Sequence, residues 1–542
     1  MTNLLAFITA LVISMAIIPL MARLAPRVGM IDRPDPRKVH AVPIPRAGGV
    51  GIVLGALVPI VMWLPMDTLT GAYLFGATVL LCFGVWDDIR ELGHYVKFIG
   101  QFIAAIAVVY YGGLYVTHFP LVDGTIPVSI GKPFTVFALM GMINAINHSD
   151  GLDGLAGGMS MLSLGCMAYL AALGDGSGGT LIVIALATLG GVFGFLRYNT
   201  HPARVFMGDG GSQYLGFTLG FLAIYLIERV NPALSPALPA LLLGLPIVDI
   251  LAVFAQRIYH GMNWFRASKN HIHHRLLQVG FDHYEAVVII YSVQILLVVS
   301  AVFLIYESDF IVLAVYVGVC SLVFLSLILA ERTRWRAHQS NKISRLTTAI
   351  RAVKEHRLFT DLPVRYVVIA VPLLFVFVSL SVDEVPRDFS VASAMLALIL
   401  LLYMVLRWKT DSIVVQAVSY VTAAFVVYLG TRHIGAWTQA MVTLELVYFV
   451  VLAVAIGVAI RYDSKASFST TPMDYLVIVT VLFTGFLLQN VPEKAYLGSI
   501  AVKLVVLFYA CELIFSRAER KRYVLNFSTL VALSVIAVRG LT

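Results

Sequence analysis

Long apolar runs separated by short polar segments make up most of the chain, and most of these runs are long enough to cross a bilayer as a helix. This pattern predicts an all-α, polytopic integral membrane protein with about 18 transmembrane helices, about 11 before a basic stretch and about 7 after it. The first group lies near 4–22, 47–66, 71–86, 98–116, 133–147, 155–173, 180–196, 213–227, 235–255, 285–306 and 310–330. The second group lies near 366–381, 388–406, 413–430, 440–460, 472–490, 497–516 and 523–538.

The distribution of basic residues predicts the orientation of these helices. Lys and Arg collect in cytoplasmic loops of membrane proteins. With residues 23–46 placed inside, 31 of the 38 Lys and Arg fall on the cytoplasmic side. We therefore expect a multi-pass protein of the cytoplasmic membrane with both termini outside. The run 4–22 is interpreted as a helix and not as a cleaved signal peptide, because its positive charges follow the apolar run.

One long polar interruption divides the chain. Residues 331–365 contain nine Lys and Arg, and the simplest interpretation is a solvated cytoplasmic linker, with a lipid-headgroup helix or a partner site as alternatives. We therefore predict a membrane domain over 1–330, a basic linker over 331–365 and a multi-helix membrane domain of unknown role over 366–542. Oligomerisation as a homodimer, docking of another membrane protein and holding of a lipid remain open as roles of the last domain.

Composition excludes two classes of protein and explains the net charge. With 60% hydrophobic and 13% charged residues, the chain is neither an ordinary soluble enzyme nor a disordered protein. The formal charge of +8 is accounted for by basic cytoplasmic loops, so no nucleic-acid partner is expected. The four cysteines lie inside apolar runs without paired spacing, which indicates neither a disulfide nor a zinc site.

Five polar clusters interrupt the apolar pattern, all on the predicted cytoplasmic side. They occupy residues 32–49, 87–101, 144–158, 199–212 and 271–275. Carboxylates at membrane-helix ends are costly and usually have a partner or a function. Oxygen ligands from Asp and Asn, without Cys, suit Mg²⁺ or Mn²⁺ bridging phosphates, and Lys, His and Arg can neutralise the remaining phosphate oxygens. The clusters therefore predict a site for a phosphate-bearing substrate at the inner membrane surface, with magnesium as the expected metal.

At these clusters the chain resembles the polyprenyl-phosphate N-acetylhexosamine-1-phosphate transferases, an integral-membrane superfamily. The resemblance covers roughly residues 1–305 and includes Asp87-Asp88, Asn144-Ala-Ile-Asn147, Phe206-Met-Gly-Asp209 and His271-Ile-His273-His274. It implies Mg²⁺-dependent transfer of a sugar 1-phosphate from a UDP-sugar to polyprenyl phosphate, with release of UMP. The His-x-His-His run is similar to that of bacterial UDP-GlcNAc-type members, which favours GlcNAc-1-phosphate and undecaprenyl phosphate in the first membrane step of cell-envelope glycan synthesis.

Alternatives to this function stay open at this point. One is the same reaction with another UDP-HexNAc, such as a GalNAc, a modified HexNAc or a MurNAc-pentapeptide donor. Another, from a different class, is a lipid-linked sugar transporter or flippase, since many spans with intramembrane ionisable groups suit a transporter. The acids collect on one face and not near mid-membrane, which favours the enzyme.

The resemblance, together with charge, assigns expected roles to individual residues. The expected metal ligands are Asp209, Asn147 and Asp88. The expected catalytic residues are Asp87, Asp88, Lys97, His271, His273 and His274. The expected substrate-binding residues are Lys38, Asn144, Asp150, Asp153, Asn199, Phe206 and Arg275.

Some details of these roles are open. Asp87 is expected to orient or support the metal shell more than to act as a base, because a phosphate monoester is already mostly a dianion at pH 7. Direct displacement and a covalent aspartyl-phosphate intermediate are both compatible with the sequence. Ser268 occupies a position where relatives usually carry an acid, so the pairing within the histidine loop is uncertain. His148 and Ser149 replace residues that are more often apolar in relatives.

Overall fold

The computed structural model describes residues 2–34, 42–174, 178–261, 270–338, 357–405, 413–432, 439–461, 495–517 and 522–540, with a few positions between 472 and 481. Over these ranges the chain is almost entirely helical, and 14 helices are long and apolar enough to cross a membrane. The expectation of an all-α multi-pass membrane protein is thereby confirmed. The total of about 18 spans, and the side of the membrane on which each loop lies, stay predictions.

The chain divides into two compact units, one spanning Met1–Gln339 and the other taking in most of residues 340–542. The division falls within the predicted basic linker 331–365, of which 339–356 lies outside the described residues. Helical structure nevertheless enters this stretch from both sides, because one helix ends at Arg332 and the next begins at Arg357. The domain boundaries proposed from the sequence stay predictions.

The first unit contains thirteen described helices and one short hairpin. The helices are α1 Thr2–Val28, α2 Gly48–Trp63, α3 Thr68–Arg90, α4 His94–Ile106, α5 Val128–Ser149, α6 Leu155–Ala172, α7 Gly179–Asn199, α8 Gly208–Tyr225, α9 Leu238–Leu242, α10 Gly244–Tyr259, α11 Ile272–Val279, α12 His283–Phe303 and α13 Asp309–Arg332. Both α4 and α8 continue as π-helical turns, over Ala107–Tyr111 and Leu226–Val230. The hairpin pairs β1, Ile31–Asp32, with β2, Ile44–Pro45, in antiparallel register.

The second unit contains six long described helices. They are α14 Arg357–Ser381, α15 Arg387–Val405, α16 Ile413–Arg432, α17 Gln439–Arg461, α18 Ala495–Arg517 and α19 Arg522–Arg539. A buried apolar cluster holds them together, with Phe375, Val418, Leu452, Leu507 and Leu533 among its members. Most of the predicted span 472–490 lies outside the described residues.

One predicted span, 235–255, is broken into α9 and α10. Pro246 has no N–H to donate to the carbonyl of Leu242, so the helical hydrogen-bond ladder stops there. The Leu242 carbonyl instead accepts hydrogen bonds from Ser163 Oγ at 2.7 Å and from Gln294 Nε2 at 3.1 Å. Side chains from α6 and α12 therefore satisfy the break inside the core.

Small residues let α3 and α8 approach closely enough to bring their polar ends together. A Cβ on Gly84 would lie 2.3 Å from the Cα of Gly210, so no larger residue fits at this crossing. Gly208, which begins α8, has φ +72, and a Cβ there would lie 2.5 Å from Asp88 Oδ2. Further from the ends, Tyr73 of α3 and Tyr214 of α8 share a buried hydrogen bond of 3.1 Å. Glycine contact and buried hydroxyls thus fix the register of the two helices.

Candidate active site

A cavity of about 720 Å³ opens at the end of the first unit where α3, α5 and α7 finish and α8 begins. Ten of the residues that the sequence proposed for the site line it, namely Asp87, Asp88, Lys97, Asn147, Asp150, Asp153, Asn199, Phe206, Asp209 and His274. The first and the last of these residues, Asp87 and His274, are 187 positions apart along the chain. The fold therefore gathers most of the predicted polar clusters around one space.

Lys97 joins two carboxylates at the centre of this cavity. Its Nζ lies 2.6 Å from Asp87 Oδ2 and 2.6 Å from Asp209 Oδ2. The second oxygen of Asp87 accepts the backbone N–H of Leu92 at 2.6 Å. Both oxygens of Asp87 are therefore engaged, which fixes the orientation of its carboxylate at the end of α3.

Asp88 supports the beginning of α8 from the neighbouring helix. Its Oδ1 accepts the N–H of Asp209 at 3.0 Å and its Oδ2 accepts the N–H of Gly210 at 3.3 Å. The first N–H groups of a helix have no partner within the helix, and negative charge is favourable at this end. Asp88, which is 5% exposed, thus anchors the backbone that presents the Asp209 side chain.

Side-chain amides complete the surroundings of Asp209. Asn147 Nδ2 donates to Asp209 Oδ1 at 3.1 Å and to Ser212 Oγ at 2.8 Å. Asn144 lies one helical turn earlier and does not line the cavity; its Nδ2 donates to Gln101 Oε1 at 2.8 Å. Asn144 therefore packs behind the site, where it ties α5 to α4.

The charges at the cavity centre do not balance. Lys97 is paired with Asp87 and Asp209, and Asp88 accepts backbone N–H groups. Arg46, which also lines the cavity, is paired with Asp32. Carboxylate and amide oxygens are the donors that hard divalent cations prefer. The excess of negative charge and this donor set fit a divalent cation held by Asp209 with Asn147 or an oxygen of Asp87 or Asp88 nearby.

Asp150 is a further carboxylate at the cavity, and its side chain forms no hydrogen bond with any described residue. It follows α5, lines the cavity and lies in the field of Asp209 and Asp153. Burial, reinforced by these two negative charges, raises the pKa of Asp150 to about 7. Its proton is therefore labile near neutral pH.

Asp153 and Asn199 connect the two loops that form one wall of the cavity. Asp153 Oδ2 lies 2.6 Å from His201 Nδ1 and accepts the N–H of Ala203 at 3.0 Å. Asn199 Oδ1 accepts the N–H of Gly154 at 2.8 Å. These bonds hold the loop after α5 against the loop after α7.

Two histidines that sequence reasoning did not single out also line this wall. The rings of His201 and His283 stack with their centroids 4.1 Å apart. His283 opens α12 after a capping box of Asp282 and Glu285, a local sequence signal that places the helix start. The sequence offered a weak signal for His201, two positions after Asn199, and none for His283.

The histidine loop is held by an acid from another helix. Asp249 of α10 accepts the N–H of Ile272 at 2.8 Å, and its other oxygen lies 2.8 Å from His271 Nδ1. Asp249 was not among the predicted site residues, because it lies 22 positions before His271 inside an apolar helix. Ser268, the position whose missing acid left the loop's pairing uncertain, lies outside the described residues.

The three predicted histidines have different surroundings. His274 lines the main cavity, whereas His273 borders a separate small cavity and its Nε2 has no hydrogen-bond partner among the described residues. Burial and the neighbouring rings of His274 and His271 hold the pKa of His273 well below its ordinary value. His273 is therefore neutral at pH 7, and a cationic role in neutralising phosphate falls to other residues.

Besides Asn144, two predicted substrate-binding residues are not seen at the cavity. The Arg275 guanidinium is paired with Glu331 of α13, at 2.7 Å and 2.9 Å, and it does not line the cavity. A planar guanidinium engaged by both carboxylate oxygens is held firmly in place, which accounts for its position. Lys38 lies outside the described residues.

Comparison with known proteins connects this geometry to a family. The family model described as glycosyl transferase family 4 matches residues 70–227, which carry the Asp87-Asp88, Asn147 and Asp209 clusters. A probable undecaprenyl-phosphate N-acetylglucosaminyl 1-phosphate transferase of Bacillus subtilis is 34% identical over 329 residues, covering 60% of this chain and 90% of the relative. The chain belongs to glycosyl transferase family 4. Members of this family generally use a divalent metal, in agreement with the unbalanced acids of the cavity.

Other relatives in the family have similar names. A decaprenyl-phosphate N-acetylglucosaminephosphotransferase of Mycobacterium leprae is 32% identical over 52% of this chain and 79% of its own length. An undecaprenyl-phosphate alpha-N-acetylglucosaminyl 1-phosphate transferase of Yersinia pestis is 28% identical over 62% of this chain and 94% of its own. None of these alignments exceeds 62% of the chain, so a large part of it has no counterpart in them.

Proposed function

We propose that this protein transfers N-acetylglucosamine 1-phosphate from UDP-N-acetylglucosamine to undecaprenyl or another polyprenyl phosphate, with release of UMP. The observation that carries the proposal is the group of Asp87, Asp88 and Asp209 around Lys97 at one cavity, in a family whose relatives are named for this reaction. A transporter is not favoured, because the acids gather at one end of their helices and not midway along them.

The reaction brings two anions together, and the cavity contains groups that oppose their repulsion. Two unit charges 4 Å apart repel by about 4 kcal/mol at an effective dielectric constant near 20. Each partner carries more than one charge, so neutralisation is the largest demand on the site, followed by in-line positioning. Lys97, held between Asp87 and Asp209, is placed to donate to phosphate oxygens entering the cavity.

A divalent cation, which we propose to be Mg²⁺ with Mn²⁺ as the alternative, would supply further positive charge next to the transferred phosphate. Asp209 and Asn147 are the residues we assign to hold it, with Asp88 fixing the α8 backbone beneath them. The neutral amide of Asn147 already orients one oxygen of Asp209. The chain's contribution is therefore a rigid, negatively charged cradle.

Asp87 and Asp88 act by orientation in this proposal. Both oxygens of each carboxylate are engaged, by Lys97 and Leu92 for Asp87 and by the start of α8 for Asp88. A carboxylate so occupied is a poor nucleophile and a poor base. We therefore favour direct attack by the lipid phosphate on the sugar-bearing phosphorus over a covalent aspartyl-phosphate intermediate.

The remaining assignments concern the nucleotide and the location. We assign Phe206, Asp150 and the Asp153–Asn199 wall to the UDP-sugar, since all four line the cavity. We place the cavity at the cytoplasmic face of the inner membrane with both termini outside, on the distribution of Lys and Arg in the sequence.

Release of UMP tests the function. The purified full-length protein is incubated with polyprenyl phosphate, Mg²⁺ and a panel of UDP-sugars, and we expect UMP and a lipid-linked sugar to form fastest with UDP-N-acetylglucosamine. Transfer from another UDP-HexNAc alone would change the sugar, and no UMP from any donor would overturn the proposal. Leaving out the lipid tests the mechanism, because exchange of labelled UMP into UDP-sugar without lipid would support a covalent intermediate.

The pKa of Asp150 predicts a pH dependence. A carboxyl with a raised pKa of about 7 is neutral at lower pH and becomes a carboxylate at higher pH. The ionised form accepts hydrogen bonds from the hydroxyls of the UDP-sugar with both oxygens. We therefore expect kcat/KM to rise with pH up to about 7 and then level off, since this ratio reports ionisations of the free enzyme and free substrate.

The lipid phosphate also ionises, with a second pKa near 6, so a matched variant is needed. Asp150→Asn should remove the limb near pH 7 and keep the one near pH 6, while lowering the plateau. Profiles of equal shape for wild type and Asp150→Asn, measured from about pH 5 to 9, would show that Asp150 does not contribute.

Asp249 is expected to act through His271. Asp249→Asn replaces an acceptor facing His271 Nδ1 with an amide, so the imidazole loses the partner that sets its tautomer. We expect kcat to fall about 10- to 100-fold, as is typical when an outer partner of a functional His is lost. The double variant with His271→Ala should be no slower than His271→Ala alone. Additive losses in this cycle would mean that Asp249 acts independently of His271.

A further inference from the structure

The second unit contains a cavity of its own, which nothing in the relatives' names accounts for. It measures about 640 Å³ and lies where α14 and α16 end and α17 begins. Its walls are almost wholly apolar, with Leu373, Phe377, Val427 and Leu444 among them. Helices α14 and α17 are of membrane-spanning length and hydropathy, and α16 has 20 residues, most of them apolar. The occupant of a space between such helices therefore has an apolar part.

A charged pair stands at the wall of this cavity. Lys503 Nζ lies 2.7 Å from Glu445 Oε1, and the ammonium also faces the ring of Phe449 with 5.7 Å to the ring centroid. Glu445 lies four residues into its span and Lys503 five, which is about 6–8 Å along a helix axis. Ionisable residues at such depth are costly and usually have a function.

The pair is not explained by snorkelling or by helix pairing alone. A snorkelling lysine extends its ammonium towards water, whereas the Lys503 side chain is 12% exposed and turns to Glu445. If the pair only joined α17 to α18, we would expect both side chains to be covered by neighbouring residues. The Glu445 side chain is instead 23% exposed, and both residues line the cavity. Beside them the buried hydroxyl of Tyr448 has no hydrogen-bond partner among the described residues.

These groups define the polar part of the occupant. Lys503 has N–H groups beyond the one used by Glu445, Glu445 has a second oxygen, and Tyr448 has a hydroxyl, so donors and acceptors stand side by side. A bare phosphate would meet the Glu445 carboxylate as well as Lys503 and gain little. A head group with hydroxyls and an amide offers both kinds of partner, and aromatic rings such as those of Tyr448 and Phe449 pack against its C–H faces.

We propose that this space, the Lys503 cavity, binds the sugar-bearing head of a polyprenyl-linked saccharide, with the isoprenoid chain along its apolar walls. Glu445 accepts hydrogen bonds from the sugar hydroxyls, and Lys503 donates to the acetamido oxygen. The choice of lipid rests on the proposed function, whose product has this head group. The second unit is then a receptor for the product or for a longer lipid-linked glycan built on it.

Photocrosslinking of the full-length purified protein tests the inference. The probe is polyprenyl diphospho-N-acetylglucosamine with a diazirine in the lipid chain, and crosslinked peptides are mapped by mass spectrometry. We expect labelling of peptides from α16 and α17 around Val427 and Leu444, besides labelling in the first unit. Glu445→Gln/Lys503→Met removes both charges together, so neither is left unpaired, and should lower the second-unit labelling about tenfold or more.

Controls separate this site from general lipid contact. Tyr420→Phe, which removes a hydrogen bond to Glu512 elsewhere in the same unit, should label like wild type. Leu444→Trp, which adds bulk at the cavity wall and leaves the charged pair intact, should lower the labelling even if the double variant fails to fold. Diazirine probes of polyprenyl phosphate and of phosphatidylglycerol should label these peptides weakly.

Each outcome decides between the alternatives. Equal labelling by phosphatidylglycerol, or unchanged labelling of the double variant, would overturn the inference and leave the pair as a contact between helices. Transfer activity is measured in parallel on the same wild-type preparation. Normal transfer without second-unit labelling contradicts this inference alone, whereas labelling without any transfer contradicts the proposed function.

Discussion

Asp209→Asn is expected to abolish transfer, with a loss of about a thousandfold or more in kcat/KM, while the protein still inserts and folds. Asp209 receives Lys97 on one oxygen and Asn147 on the other, at the point where the cavity has excess negative charge. The amide keeps the volume of the side chain but removes the charge that would hold a divalent cation. The loss should therefore appear in chemistry and in cation affinity and not in stability.

Three measurements check this prediction. UMP release gives the activity, titration of Mn²⁺ by electron paramagnetic resonance gives cation binding, and size-exclusion chromatography with a thermal melt gives folding. Asp309→Asn is the matched control, because Asp309 lies in the same unit at the start of α13 and contacts Ser235 and Leu121, away from the cavity. Turnover by Asp209→Asn close to that of the control would remove Asp209 from the metal shell.

Lys97→Met is expected to lower kcat about 100- to 1,000-fold, the range found when one charge-stabilising donor is removed from an active site. Methionine keeps most of the length of the side chain but offers no donor to phosphate. It also leaves Asp87 and Asp209 without their shared cation, so the site becomes more negative by one charge. Mn²⁺ should therefore bind as tightly as in wild type or more tightly, even though turnover falls.

The opposite responses of turnover and cation binding distinguish a lysine that neutralises phosphate from a lysine that only stabilises the fold. A lysine that only held the fold together would lose activity, cation binding and detergent-stable protein in parallel. Lys132→Met is the control, since Lys132 faces the rings of Tyr110 and Tyr115 near the start of α5 and does not line the cavity. If Lys97→Met bound Mn²⁺ much more weakly than this control, neutralisation of phosphate by Lys97 would be excluded as its main role.

The all-α fold class and the positions of most of the helices were predictable from the sequence, because the signals for both are local. Apolar runs of span length fix where a helix can cross, and a capping box such as Asp282–Glu285 fixes where one begins. The break between α9 and α10 was not predicted. It depends on Ser163 and Gln294, distant in sequence, which satisfy the carbonyl that Pro246 leaves free.

The site was predictable where its residues occur in clusters, and less so where a residue acts alone. Asp209 and Asn147 stand in polar segments whose composition is unusual for a membrane helix end, so composition singled out the segments and the family resemblance assigned the two residues their role. Asp249 is a single charged residue inside an apolar helix, and His283 lies in an ordinary helix-capping sequence. Their importance depends on His271 and His201, which only folding brings within contact distance.

By itself, therefore, the sequence determined that the chain is a helical membrane protein with its acids and cations at helix ends, since hydropathy and the cost of buried charge act on each segment separately. Tertiary structure alone decided which of those charges meet. The close approach of Gly84 to Gly210 lets Asp88 reach the start of α8, and so places Asp209 beside Lys97. It equally set Arg275 against Glu331, away from the cavity, because the partner of a charge is chosen by distance in the fold and not by residue type.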